Sequence, residues 1–134
     1  MRQKLKNVLL VDDDEGTNFI HKLVITESDC AENIVIKENG VEALNYLKSA
    51  INGKYPEPDL IFLDVNMPRM NGWEFLEEFK TLPKHQKAKT VIVMLSTSLH
   101  PDDRERANNF PEISTFLPKP LSVEKVIEVY TRFF

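Results

Sequence analysis

A length of 134 residues, with 42% hydrophobic and 28% charged residues, is typical of one soluble globular domain and excludes a disordered or fibrous chain. The formal net charge of -4, with no run of Lys and Arg in the sequence, indicates no direct nucleic-acid partner. The single cysteine, Cys30, excludes a disulfide framework or a cysteine-based zinc site within the chain. We expect Cys30 to be buried or half-buried as a small apolar residue.

The N-terminal segment contains neither a predicted signal peptide nor a predicted membrane span. Residues 1–6 are basic, but the apolar run that follows covers only residues 8–11 before the acids that begin at Asp12. Both kinds of targeting segment need a longer apolar stretch. We therefore expect a cytoplasmic protein.

Short apolar runs rich in β-branched residues predict five strands. They cover residues 8–11, 33–36, 60–63, 90–95 and 114–117. The first, third and fourth runs are almost continuously apolar, which is typical of strands buried on both faces of a parallel sheet.

Segments with apolar residues three and four positions apart lie between these runs and predict helices. A weaker segment, residues 102–109, has Pro101 at its start and Pro111 after its end. Five strand–helix repeats predict a doubly wound parallel sheet of the α/β class with right-handed crossovers. The apolar positions of the four clearest helical segments are Ile20, Leu23 and Val24; Val41, Leu44, Leu47 and Ile51; Phe75, Leu76 and Phe79; and Val123, Val126, Ile127 and Tyr130.

Aromatic and histidine side chains suggest packing rather than a cofactor or metal site. Trp73, together with Phe75 and Phe79, is predicted to pack in the core or on a helix face. The three histidines share no metal-ligand spacing and are predicted to lie on the surface or on helix faces: His21, His85 and His100.

Polar residues stand at the predicted ends of four strands, where open α/β sheets bind their ligands. Because crowded carboxylates repel one another, a hard divalent cation with oxygen ligands is expected among them. A carboxylate can attack phosphorus, and the charge that develops on a transferring phosphoryl group needs a metal, a cationic group and hydrogen-bond donors. Mg²⁺, Lys119 and Ser96 match those three needs. The strand-end residues are Asp12, Asp13, Asp14 and Glu15; Asp64; Ser96 and Thr97; and Lys119 between Pro118 and Pro120.

In order and spacing these residues resemble the receiver domain of response regulators in two-component signalling. Each motif is weak alone, but four in the right order over essentially the whole chain are specific. The resemblance implies a flavodoxin-like fold with strand order 2-1-3-4-5, and one receiver domain over residues 1–134 with no output domain. The matching motifs are Val11-Asp12-Asp13; Asp64 with Asn66-Met67-Pro68 and Asn71-Gly72; Leu95-Ser96-Thr97; and Pro118-Lys119-Pro120.

The resemblance also implies a Mg²⁺ (or Mn²⁺) site. It makes Asp64 the phosphoacceptor and a metal ligand, and Asp13 a direct metal ligand. Asp12 would act largely through a water molecule, and Asn66 would supply its backbone carbonyl. Asp14 lies one residue beyond the matched pair, and we expect it to face solvent at the start of the first helix.

Further roles follow from the same resemblance. Ser96 would hydrogen-bond the phosphoryl group after transfer, and Lys119 would bridge that group and Asp64. Two positions depart from the family pattern: Thr97 stands where a small residue is usual, and Phe116 stands where the switch aromatic is often Tyr. The peptide bond between Lys119 and Pro120 is expected to be cis.

The implied phosphodonor is a sensor histidine kinase or a phosphotransfer protein. The domain would assist its own phosphorylation and dephosphorylation without being a conventional enzyme. Phosphorylation of Asp64 is expected to draw Ser96 inward, pull the loop 97–100 and let Phe116 turn inward. A downstream protein would then bind the face formed by residues 101–109, 114–117 and 122–130 (the output face).

Three other functions are alternatives to a phosphorylated receiver domain. A phosphatase of the haloacid-dehalogenase type needs Thr or Val where this chain has Gly16, and a nucleotide switch needs a glycine-rich loop that is missing. Residues 12–15 alone are equally typical of an acidic helix cap, and Asn71-Gly72 of a turn. A receiver-shaped binding module that is never phosphorylated stays open, although the intact set of acids, Ser96 and Lys119 argues against it.

Overall fold

Five parallel strands form one sheet at the centre of the molecule. The computed structural model describes residues 3–87, 89–97 and 101–134, apart from the side chain at position 104. The strands pair in the order β2-β1-β3-β4-β5, all parallel. The predicted fold class and strand order are therefore confirmed. The strands are β1 (Leu5–Val11), β2 (Ala31–Lys37), β3 (Leu60–Asp64), β4 (Val91–Ser96) and β5 (Ile113–Pro118).

Helices connect successive strands and cover both faces of the sheet. The four-residue helix α4 was not predicted, because a single turn is too short to show an apolar period. The predicted fourth and fifth helices are therefore α5 and α6. Among the described residues, no helix is both long and apolar enough to cross a membrane. The helices are α1 (Glu15–Ser28), α2 (Gly40–Leu47), α3 (Gly72–Phe79), α4 (Lys84–Lys87), α5 (Pro101–Ala107) and α6 (Val123–Phe133).

Side chains of alternate residues in the central strands belong to two separate hydrophobic cores, one on each face of the sheet. Leu9 and Ile61 face α2 and α3, whereas Leu10 and Phe62 face α1 and α6. Every residue of β3 is buried, as its continuous apolar run predicted. Cys30 is buried in the second core, as expected.

Helix α1 is rotated away from the orientation that its apolar spacing predicted. Ile20 and Leu23 are 53% and 50% exposed, so their predicted place on an inward face is wrong. The buried positions are instead Asn18, His21 and Ile25. Hydrogen bonds decide this rotation, because Asn18 donates to a backbone carbonyl at the end of β1 and His21 accepts from the loop after β5.

His21 was predicted to lie on the surface or on a helix face, and it lies on the buried face of α1, where its side chain is only 1% exposed. A histidine whose ring nitrogen has a hydrogen-bond partner can be buried at low cost. His85 is exposed as expected, and His100 lies outside the described residues.

Smaller corrections concern the ends and faces of other helices. Helix α2 ends at Leu47, and Ile51 lies beyond it in an exposed antiparallel bridge with Lys54. In α6 the predicted inward position of Ile127 is wrong, because this residue is exposed and Val126 and Val129 face the sheet instead. The predicted core packing of the α3 aromatics is confirmed for Trp73, Phe75 and Phe79.

Candidate functional site

The carboxyl ends of four strands bring the polar residues of the sequence motifs together. In the register of the sheet, Val11 lies beside Leu63, Asp64 beside Leu95, and Ser96 beside Pro118. The residues that follow β1 and β5, and those that end β3 and β4, therefore share one edge of the sheet. This edge is the place that an open α/β sheet offers to a ligand.

Lys119 bridges two carboxylates in the centre of this edge. Its Nζ lies 2.6 Å from Asp12 Oδ2 and 3.0 Å from Asp64 Oδ1. Its backbone N–H donates to the Ser96 carbonyl at 2.9 Å, which ties the loop to β4. Lys125 donates to the carbonyls of Pro118 and Pro120 at 3.1 and 2.9 Å, which fixes the loop from α6.

The peptide bond between Lys119 and Pro120 is cis, as expected from the resemblance.

Three carboxylates form an acidic cluster, defined as Asp12, Asp13 and Asp64. Each offers one oxygen, and these oxygens lie within 4.8 Å of one another. Asp12 and Asp64 are buried, whereas Asp13 is exposed, so the cluster is open to solvent on one side. Hard oxygen ligands of this kind fit Mg²⁺ or Mn²⁺. The residues present therefore fit a divalent cation.

The neighbouring acid Asp14 lies outside this cluster. It is the N-cap of α1, and its carboxylate accepts the Thr17 N–H at 2.9 Å. Its backbone N–H in turn donates to Asp12 Oδ1 at 2.9 Å, which orients the Asp12 carboxylate. The expectation that Asp14 faces solvent at the start of the first helix is confirmed.

Burial and charge shift the pKa values of Asp64 and Lys119. Burial, reinforced by the charge of Asp12, raises the pKa of Asp64 to about 6, although Lys119 opposes the shift. Burial alone would lower the pKa of Lys119, but its hydrogen bonds to Asp12 and Asp64, together with the charges of these carboxylates, outweigh burial and raise the pKa. Three carboxylates face one ammonium here, so a divalent cation would balance the charge of the site.

Gly72 belongs to a motif named in the sequence analysis, but its close approach to Asp64 was not predicted. A Cβ at this position would lie 2.6 Å from the Asp64 carbonyl oxygen and 3.1 Å from Val65 Cα. The Gly72 N–H donates to the Val65 carbonyl at 2.9 Å. Asn71-Gly72 is the turn that was predicted, with Asn71 as N-cap of α3, but Gly72 also lets the helix approach the backbone of Asp64. The signal in the sequence was the place of Gly72 in the matching Asn71-Gly72 motif, directly after an N-cap residue.

The predicted switch residues lie next to this site. Ser96 is fully buried at the end of β4, and Thr97 after it is exposed. Phe116 is half-buried, with its ring centroid 6.4 Å from that of Trp73. The loop movement predicted for residues 97–100 falls mostly on positions 98–100, which lie outside the described residues.

Asn66 is two residues beyond Asp64, and its N–H points toward Asp64 Oδ1 at 3.4 Å.

Comparison with known proteins agrees with this geometry. A family model described as the response regulator receiver domain matches residues 8–131. Response regulator Rcp1 of Synechocystis sp. is 28% identical over 127 residues, which cover 92% of this chain and 83% of Rcp1. A two-component response regulator from Cytophaga hutchinsonii is 32% identical, with a TM-score of 0.82 and 98% of each chain covered.

A further solved structure is that of the phosphorylated cyanobacterial phytochrome response regulator RcpA. It is 26% identical, with a TM-score of 0.74, and the match covers 94% of this chain and 89% of RcpA. The family match over nearly the whole chain, the parallel sheet and the residues at its strand ends lead to one conclusion: this chain belongs to the response regulator receiver domain family of two-component signalling.

Proposed function

We propose that this receiver domain accepts a phosphoryl group on Asp64 from a histidine kinase or a phosphotransfer protein, with Mg²⁺ or Mn²⁺ bound. Receiver domains interact with histidine kinases and downstream targets, and they are not a conventional enzyme family. One observation carries the proposal: Lys119 Nζ bridges Asp12 and Asp64 at 2.6 and 3.0 Å, beside three clustered carboxylates. The expectation of one domain over residues 1–134 stays a prediction, as does a cytoplasmic location.

The nucleophile in this proposal is the Asp64 carboxylate. Its Oδ1 is engaged by Lys119, so Oδ2 attacks phosphorus while the bond from phosphorus to the donor's nitrogen breaks. With a pKa of about 6, Asp64 is mostly ionised at pH 7.5 and can act without a general base. The donor's imidazole leaves with the electron pair and takes up a proton from solvent.

The other site residues stabilise the charge that the transfer creates. Lys119 is already within hydrogen-bond distance of Asp64 and can neutralise a phosphoryl oxygen with little movement. Ser96 would donate its hydroxyl to a second oxygen. Asp12, Asp13, Asp64 and the Asn66 carbonyl would hold the cation, which supplies further positive charge to the phosphoryl oxygens when bound.

Mass spectrometry after exposure to acetyl phosphate and Mg²⁺ tests the phosphoacceptor. We expect one added phosphoryl group on the wild type, none on Asp64→Asn, and normal addition on the matched control Asp14→Asn. A wild type without an adduct would instead support a binding module that is never phosphorylated. An undiminished adduct on Asp64→Asn would place the acceptor elsewhere. The phosphorylated state of the relative RcpA supports the expected result.

Calorimetry with Mg²⁺ tests the metal ligands separately. Asp13 belongs to the acidic cluster, whereas the Asp14 carboxylate is occupied by the first turn of α1. We expect Asp13→Asn to weaken Mg²⁺ binding about tenfold, and Asp14→Asn to change it much less. Equal losses in the two variants would contradict this placement.

The output face is the proposed binding site for a downstream protein. Phe116 connects this face to α3, since its ring packs against Trp73. A shift between two existing conformations of a few kcal/mol is enough to change partner affinity. We expect beryllofluoride, added to the Mg²⁺-bound protein, to move amide signals at Phe116 and in α6. Changes confined to the loops around Asp64 would contradict this route of signal output.

A further inference from the structure

Helix α1 carries two buried polar residues one turn apart, and each holds the backbone of a different site loop. Asn18 is 3% exposed, and its Nδ2 donates to the Asp12 carbonyl oxygen at 2.8 Å. His21 is 1% exposed, and its Nε2 accepts the Leu121 N–H at 3.3 Å. The first contact holds the residue after β1, and the second holds the loop after β5.

Each loop places one member of the ion pair between Asp12 and Lys119. Asp12 supplies the carboxylate oxygen that lies 2.6 Å from Lys119 Nζ. Leu121 is buried two residues after Lys119, so holding its N–H limits where the Lys119 backbone can lie. A single rigid helix therefore connects the two sides of the pair, which are 107 residues apart in sequence.

Burial of apolar surface explains only part of this orientation of α1, in which Ile25 is buried in the second core. Three large apolar side chains of the helix point to solvent: Phe19, Ile20 and Leu23. The Oδ1 atom of Asn18 is buried without a hydrogen-bond partner among the described residues, which is unfavourable for a polar atom. The orientation therefore leaves three large apolar side chains in solvent and one polar atom without a partner, while it forms the two backbone contacts of Asn18 and His21.

The protonation of His21 agrees with its role as an acceptor. Burial lowers the pKa of His21, and the nearby charges of Lys119 and Lys125 act in the same direction, while Asp12 opposes them. The ring is therefore neutral at pH 7, with Nε2 free of a proton and able to accept.

We propose that Asn18 and His21 are positioning residues for phosphoryl transfer, holding Asp12 and Lys119 at the separation that the reaction needs. This inference rests on the proposed function of Asp64. Neither residue touches the reacting atoms; each acts through a backbone group that it holds.

Three variants test the role of His21. His21→Leu keeps an apolar side chain of similar size but removes the acceptor. His21→Gln restores an acceptor, because the Gln side-chain oxygen reaches about as far as Nε2. His85→Leu makes the same substitution on an exposed histidine and serves as the matched control. The measurements are the initial rate of Asp64 phosphorylation by acetyl phosphate and the hydrogen exchange of the Leu121 amide.

We expect His21→Leu to slow phosphorylation about tenfold, the effect of one buried hydrogen bond, and to speed exchange of the Leu121 amide. His21→Gln should recover most of the rate and of the protection, and His85→Leu should match the wild type. A normal rate in a folded His21→Leu, or a His21→Gln as slow as His21→Leu, would overturn the inference. An unphosphorylated wild type would refute the proposed function, while Leu121 exchange would still decide whether His21 holds the loop.

Asn18→Leu provides a second variant should His21→Leu fail to fold. It removes the donor to the Asp12 carbonyl and relieves the unpartnered Oδ1. We expect slower phosphorylation with unchanged exchange at Leu121 and no loss of thermal stability. A normal rate in this variant would overturn the part of the inference that concerns Asn18.

Discussion

Helices α1 and α3 flank the same site but are held in place by different forces. Each is the first helix after a strand that ends at the site, and each has a side-chain N-cap, Asp14 for α1 and Asn71 for α3. They pack on opposite faces of the sheet. The inward face of α3 is entirely apolar, with buried Trp73, Phe75, Leu76 and Phe79. In α1 the three buried residues are Asn18, His21 and Ile25, of which the first two are polar.

The difference shows that one site can be supported by burial on one side and by specific hydrogen bonds on the other. Burial is large and non-directional, so it anchors α3 firmly but sets its rotation only loosely. A hydrogen bond contributes less but requires a particular distance and angle. The hydrogen bonds of α1 therefore contribute less to stability than the burial of α3, but they restrict the positions of Asp12 and Leu121 more closely.

The largest expected effect is on the free energy of unfolding, when one phenylalanine of each helix is replaced by alanine. Phe75 of α3 is fully buried and Phe19 of α1 is 64% exposed. We expect Phe75→Ala to lower the free energy of unfolding by about 3–5 kcal/mol, through lost burial and a cavity. Phe19→Ala should change it by no more than about 0.5 kcal/mol. Chemical denaturation of both variants measures this, and comparable losses would remove the contrast between the helices.

A second contrast concerns the carboxylates on the two sides of the site, Asp64 before α3 and Asp13 before α1. The pKa of Asp64 in the folded protein is about 6, against about 3.9 in the unfolded chain. Its favourable contribution is therefore complete below pH 4 and is lost as the pH rises through 6, where a buried carboxylate must ionise. Without divalent cations at pH 7.5, Asp64→Asn should stabilise the protein by up to about 3 kcal/mol, less the part that Lys119 loses with its partner.

The gain from Asp64→Asn should shrink toward pH 4, and Mg²⁺ should stabilise the wild type more than the variant. Asp13→Asn, which changes an exposed carboxylate, is the matched control and should stay near the wild type without metal. Thermal unfolding over this pH range measures both variants. A pH-independent gain would show that the ionisation of Asp64 is not its cause.

The smallest effect compares glycines in the first turns of the two helices. A Cβ at Gly72 would lie 2.6 Å from the Asp64 carbonyl, whereas one at Gly16 would meet nothing closer than Asp14 Oδ2 at 3.7 Å. We expect Gly72→Ala to destabilise the fold by about 1–3 kcal/mol, because α3 must move away from β3. Gly16→Ala should stabilise it by about 0.5–1 kcal/mol through helix propensity. Opposite signs in denaturant midpoints would confirm the contrast, and equal signs would contradict it.

The sequence by itself determined the sheet, its order of elements and the residues at its functional edge. Strands buried on both faces of a parallel sheet are apolar throughout, so β1, β3 and β4 could be recognised without any partner. The carboxyl ends of parallel strands meet at one edge, so Asp12, Asp64 and Lys119 could be predicted to converge from their places in the chain alone. Periodicity was equally reliable for α3, where burial is the dominant force.

Only the tertiary structure decided the rotation of α1, the burial of His21, the close approach at Gly72 and the raised pKa of Asp64. Each depends on groups that are distant in sequence: His21 meets a backbone N–H 100 residues away. Apolar spacing predicts which face of a helix would bury the most hydrocarbon. It contains no information about a hydrogen bond between a polar side chain and the backbone of a loop. In α1 the orientation follows two such hydrogen bonds, of Asn18 and His21, rather than the apolar spacing.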